Sequence, residues 1–67
     1  MKLVDLTLVL HKELDKSYMV SETGEPDSVV FLPKSQVEKY DQKGTYKFWE
    51  IYEFAIPDWL ATEKGLV

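Results

Sequence analysis

The sequence predicts a mostly β fold (β+α): a small antiparallel, barrel-like sheet of four or five strands with one short C-terminal helix. Three observations point there. Val4, Leu6, Leu8 and Leu10 alternate with Asp5, Thr7, Val9 and His11, the period of a strand with one buried face. Runs rich in β-branched and aromatic residues, SVVFL at 28–32 and YKFWEIYEFAI at 46–56, are separated by turn-forming clusters. Finally, PDWLATEKGL, from Pro57, holds a helix start, a two-turn body and a stop.

Each element follows in order. The first strand covers Val4 to His11 and can run on to Leu14. SYMVSE, 17–22, reads as a second strand. TGEPD, 23–27, is a turn: Gly24 is free to take positive φ and Pro26 presets its own. SVVFL returns as a third strand, so 17–32 forms a hairpin. Pro33 has no N–H to donate and is expected to stop sheet pairing. Ser35 and Glu38 match a capping box, but too little chain remains before Gly44 for a helix. One 3₁₀ turn at 34–36 and a short strand through Tyr40 are expected instead. DQKG, 41–44, has Asp first and Gly fourth, a type I turn signal, which makes 45–56 the return strand. Pro57 suits a first helical position, and Asp58 and Lys64 suit the two ends of the helix dipole. Gly65 can end the helix in the left-handed conformation, with Leu66 folding back onto Leu60. Because flat small sheets leave open edges, the strands are expected to curl.

Sixty-seven residues correspond to a single small β-rich domain, 1–67. Such a chain buries only about 60% of the surface its unfolded form exposes. There is no cysteine and one histidine, which excludes disulfides and disfavours zinc. Oligomerisation or a partner is the remaining way to add buried area. The hydrophobic fraction, 45%, is that of a globular chain. No apolar run approaches the roughly 20 residues of a membrane helix. The start, MKLVDLTLVLHKEL, lacks the unbroken apolar region and cleavage site of a signal peptide. The expectation is a soluble, cytoplasmic protein with no membrane partner. Twelve acids against eight lysines, without arginine, give a net charge of −4. That balance argues against general nucleic-acid affinity and permits a partner with a basic surface.

Little in the chain points to chemistry. His11, Glu13 and Asp15 alternate and could share a strand face as metal ligands, but a solvated face is the plainer reading and no metal is expected. Ser17, Ser21, Ser28 and Ser35 offer hydroxyls, yet nothing marks a nucleophile elbow around the lone imidazole. Gly24, Gly44 and Gly65 are isolated, so no phosphate-cradling loop is present. Neither catalysis nor a cofactor is expected.

The segment 46–56 holds five of the nine aromatic side chains. As one regular strand it would put Tyr46, Phe48, Glu50, Tyr52, Phe54 and Ile56 on one face and Trp49, Ile51 and Ala55 on the other. Both faces are largely apolar, but a small sheet with one helix has one core. The second face must be covered by the helix, a second copy or another protein, or a bulge must swap the faces. Trp49 and Tyr52, with polar tips, are the expected exposed anchors, with Tyr46 beside them. Phe48 and Phe54 are the expected core residues. Trp59 reads first as core and second as a partner anchor. Lys34 and Gln36, in a turn after Pro33, suit either recognition or turn chemistry.

Two stretches together resemble a set of small proteins encoded largely by phages, prophages and related bacterial loci. Leu32, Pro33, Lys34, Ser35, Gln36 and Val37 fit an L-P-K-S-Q-[IV] motif. Pro57, Trp59, Leu60, Ala61, Lys64, Gly65 and Leu66 fit P-x-W-L-A-x-x-K-G-L. Phe31 stands where tryptophan is common. The likeness covers about residues 18–67 and implies a β-rich fold and a phage-like setting in a bacterial host rather than a reaction. With size and charge, it leads to an expectation of a non-enzymatic, protein-binding accessory protein. The concrete version is an anti-CRISPR-like inhibitor that occludes the surface of a host defence complex. Alternatives are a small-barrel nucleic-acid binder in phage recombination or replication, and a self-associating structural module forming a homo-oligomer.

Overall fold

The computed structural model describes residues 2–67. Five strands, β1 (Leu3–Glu13), β2 (Ser17–Ser21), β3 (Val30–Pro33), β4 (Glu38–Tyr46) and β5 (Trp49–Pro57), precede one helix, α1 (Asp58–Glu63). The strands form one antiparallel sheet in the order β3-β2-β1-β5-β4, so the expected fold class holds. The sheet is open, with β3 and β4 as its edges.

The alternation in β1 does what its period demands. Val4, Leu6, Leu8 and Leu10 stand opposite Ile56, Phe54, Tyr52 and Glu50 on β5. Paired residues share a face, and this face is the core. Leu8, Val20, Leu32, Val37, Phe54 and Ile56 are buried there, and α1 covers them with Leu60 and Ala61, joined by Leu66. The sheet is strongly curled. Tyr18 pairs with Glu13 and Phe54 pairs with Leu6, seven residues apart on β1. Seven extended residues span roughly 23 Å, yet the Tyr18 and Phe54 rings meet at 5.4 Å. The register of β1 on β2 shifts between Leu10 and Lys12, leaving His11 as the extra residue of a bulge. Bulges bend a strand and raise its twist, and this one lies where β1 turns β2 and β3 over the core face.

The C-terminal stop signal is read as written. The amide of Leu66 donates to the carbonyl of Ala61 and that of Gly65 to Thr62, with Gly65 at φ 74°. These are the two bonds of a Schellman cap. At the other end, Pro57 is the last strand residue and the N-cap rather than the first helical residue, and the Asp58 amide donates to the carbonyl of Lys2. The third strand begins at Val30, because Pro26–Ser28 winds into a 3₁₀ turn.

The aromatic segment departs from expectation. Residues 41–44 do not turn; they lie inside β4, whose register shifts on either side of Gln42. The Asp-x-x-Gly signal is absorbed by these irregularities. The chain turns instead at Lys47 and Phe48, between the paired residues Tyr46 and Trp49. The run 45–56 is therefore a hairpin rather than one strand. Phe48, expected in the core, sits at the tip and is 94% exposed. Phe54 is fully buried, as expected. Trp59, whose first reading was core, is 52% exposed: α1 turns Leu60 and Ala61 inward and leaves the preceding residue outside.

Candidate functional site

The site is built by the β4–β5 hairpin and the end of β1 beside it. Past the Leu10–Glu50 pair, β1 runs on through the bulge to Glu13 while β5 stops at Trp49. The mismatch leaves a groove of about 410 Å³ whose walls include His11, Lys12, Phe48, Trp49, Glu50 and Tyr52. Glu13 and Lys39 also line it.

Each wall has a structural cause. The bulge at His11 brings its ring to 4.4 Å from that of Trp49, tilted by 55°. On its other side His11 Nε2 lies 2.7 Å from the Oγ of Ser21, which is fully buried. The same Oγ accepts the Gly24 amide at 2.9 Å. Burial pushes the His11 pKa below its ordinary value, so the ring is neutral near pH 7. A histidine on a serine hydroxyl is the opening of a nucleophilic pair. Here the hydroxyl has no exposure and holds a loop amide, so it is not presented to a substrate.

Glu13 forms a clasp at the mouth of the core face. Its two oxygens accept from Lys34 at 2.9 Å and Lys39 at 3.1 Å. Those hydrogen bonds hold the Glu13 carboxyl below the usual glutamate value. Lys34 lies 5.2 Å from the centre of the Tyr18 ring, and Lys39 lies 4.6 Å from that of Tyr52. The Tyr52 hydroxyl donates to Glu50 at 2.9 Å, and that bond raises the Tyr52 pKa. The metal reading of His11, Glu13 and Asp15 meets a different arrangement. His11 is engaged with Ser21 and Glu13 with two lysines, and among the described residues no group of three or more His, Asp or Glu gathers.

Of the residues singled out by sequence, Trp49 and Tyr52 share the groove. Tyr46 pairs with Trp49 across the turn, and its ring lies against Gly24, so it also fastens the β2–β3 loop. Lys34 reaches the site only through Glu13. Gln36 is exposed in the 34–36 turn and Trp59 on α1, and neither lines the groove. Sequence reasoning missed Phe48 at the tip, Lys39 in the clasp and the pairing of His11 with Trp49. A hairpin at 47–48 carries no Gly, Asn or Asp to announce it. The one available sign was the paradox of a strand apolar on both faces.

No helix among the described residues is long and apolar enough to cross a membrane. Compared with protein-family models, with curated proteins and with solved structures, the chain matches none.

Proposed function

We propose that this protein is a non-enzymatic binding protein that acts by occupying the surface of another protein, with the β4–β5 hairpin tip as its docking element. The observation that carries this reading is Phe48, a large apolar side chain held 94% exposed at a two-residue turn. Turn positions favour Gly, Asn or Asp for backbone reasons. Here Lys47 takes a positive φ of 56° and Phe48 gains no packing in the core. A local rule broken without a folding gain is characteristic of functional positions. Trp49 and Tyr52 flank the tip with part-buried rings, the residue types that anchor interfaces. The motif resemblance supports a phage-type setting, and within it an anti-CRISPR-like inhibitor of a host defence complex in the bacterial cytoplasm.

The test is retention of a partner from bacterial lysate by immobilised protein. Wild type and Phe31→Ala, a half-exposed aromatic on β3, should retain the same protein, and Phe48→Ala should lose it. Retention independent of Phe48 would sink the reading. A gel shift of single-stranded DNA at low salt, abolished by Phe48→Ala, would favour the nucleic-acid alternative, since electrostatic binding is strongest there. Light scattering that shows a Phe48-dependent oligomer, with no partner retained, would favour self-association.

A further inference from the structure

Three of the four tyrosine and tryptophan rings in and around the groove already carry a cation. Lys39 stands over Tyr52 at 4.6 Å, Lys34 over Tyr18 at 5.2 Å and Lys47 over Tyr46 at 5.3 Å. In the Glu13 clasp the lysines over Tyr18 and Tyr52 are also paired with a carboxylate. This is a complete unit of aromatic ring, cation and acid. Beside it, Trp49 and Phe48 meet edge to face, with centroids 6.3 Å apart and planes at 86°. Glu50 lines the same groove. Its one side-chain hydrogen bond comes from the neutral Tyr52 hydroxyl, and among the described residues no lysine lies within ion-pair distance of it. Trp49 has no lysine over its ring, although indole is the best aromatic acceptor for a cation. The second site has the rings and the acid of the first and lacks its cation.

We infer that the groove takes a cationic side chain of the partner, arginine above all, stacked in the angle between Phe48 and Trp49 with its charge on Glu50. This rests on the docking reading above and names its chemistry. A planar guanidinium stacks on an aromatic face and pairs with a carboxylate at once, which a compact ammonium does less well. The net charge of −4 favours a basic partner surface. Two lysines also line the groove. Lys39 is held by Glu13 and the Tyr52 ring. Lys12 is exposed, and its long stem lets the charge move out into water. The His11 ring under Trp49, neutral near pH 7, adds no repulsion.

The probe is a glycine–serine peptide bearing spaced arginines, compared with the same peptide carrying citrulline, an uncharged near-isostere. The nuclear magnetic resonance signal of the Trp49 indole N–H reports on the groove, with that of Trp59 as internal control. The arginine peptide should shift Trp49 and leave Trp59 in place, and the citrulline peptide should bind at least about fivefold more weakly. Glu50→Gln, with its circular dichroism unchanged, should bring the arginine peptide down to the citrulline level. Equal binding of the two peptides, stronger binding of a glutamate version, or no Trp49 shift at millimolar peptide would overturn the inference. If Phe48 proves necessary for partner retention while arginine and citrulline do not differ, the chemistry assigned here fails and the docking reading stands. If retention ignores Phe48, the docking reading fails whatever the peptides show.

Discussion

Lys47 is the one non-glycine residue among the described residues with a positive φ, and it sits beside the exposed Phe48. With φ at 56° for Lys47 and no positive φ at Phe48, the turn has the sign pattern of type II′, where glycine is usual at the first position. A left-handed conformation costs a non-glycine residue roughly 1–2 kcal/mol. Lys47→Gly should therefore raise the unfolding free energy by about 1 kcal/mol in urea titration, and an unchanged or lowered midpoint would mean that Lys47 is not strained. Phe48→Ala should leave that free energy within about 0.5 kcal/mol, as surface substitutions do. Gly24 is the opposite case. It holds φ at 84°, and a methyl group there would lie 2.5 Å from the Tyr46 ring. Gly24→Ala should destabilise through both strain and displacement of Tyr46, and Tyr46→Ala should leave only the strain. If Gly24→Ala costs the same in both backgrounds, the ring contact contributes nothing.

At the level of elements, legibility followed how loudly the chain punctuates. Alternation made β1 readable because both its neighbours bury the same face, and Pro57 and Gly65 bounded α1 to within a residue. The β4–β5 hairpin was not legible. DQKG carries the stronger turn signal, but pairing of β4 with β5 through Glu38–Ala55 and Lys39–Phe54 keeps those residues extended and turns the surplus into bulges. What turned was Lys-Phe, which has no such signal. Of the site, Trp49 and Tyr52 were visible from residue type alone. The His11 contact depends on a bulge, and the Glu13 clasp depends on curl, and neither is a local property of sequence. For α1, removing residues 58–67 would take Leu60, Ala61 and Leu66 out of the core. Loss of buried leucines costs about 2–5 kcal/mol each when truncated to alanine, so the shortened chain should not show a cooperative thermal transition. Trp59→Ala should retain one. A sharp melt in the truncated chain would mean that β1–β5 form a core without the helix.

Across the whole molecule, curl replaces closure, and ionisable groups stand where the curled parts meet. The bulge network of His11, Ser21 and Gly24 ties β1 to the β2–β3 loop, and the Glu13 clasp ties β1 to Lys34 and to the edge strand β4. Both make stability depend on pH, and in the same direction. The His11 pKa is lowered in the fold by burial. Below the ordinary value of 6.5 the unfolded chain binds the proton first, so the stabilisation present above that value is lost as pH falls towards the folded pKa. Glu13 is lowered by its two lysines, so its contribution is present above 4.5 and is lost as pH falls below it. Lys39 adds an alkaline limit. Burial alone would lower its pKa, but the hydrogen bond and charge of Glu13 outweigh that and raise it, so its contribution is present below 10.5 and lost above. The melting temperature should therefore fall in two stages on acidification, one beginning near pH 6.5 and one near pH 4.5. His11→Gln should remove the upper stage and keep the lower. Glu13→Gln should weaken the lower stage and also remove the alkaline decline that Lys39 contributes, because Glu13 is what holds the folded Lys39 pKa above its unfolded value. If Glu13→Gln leaves both limbs of the profile unchanged, the clasp does not hold β4 to β1 in solution, and packing of Tyr18 on Phe54 alone maintains the curl.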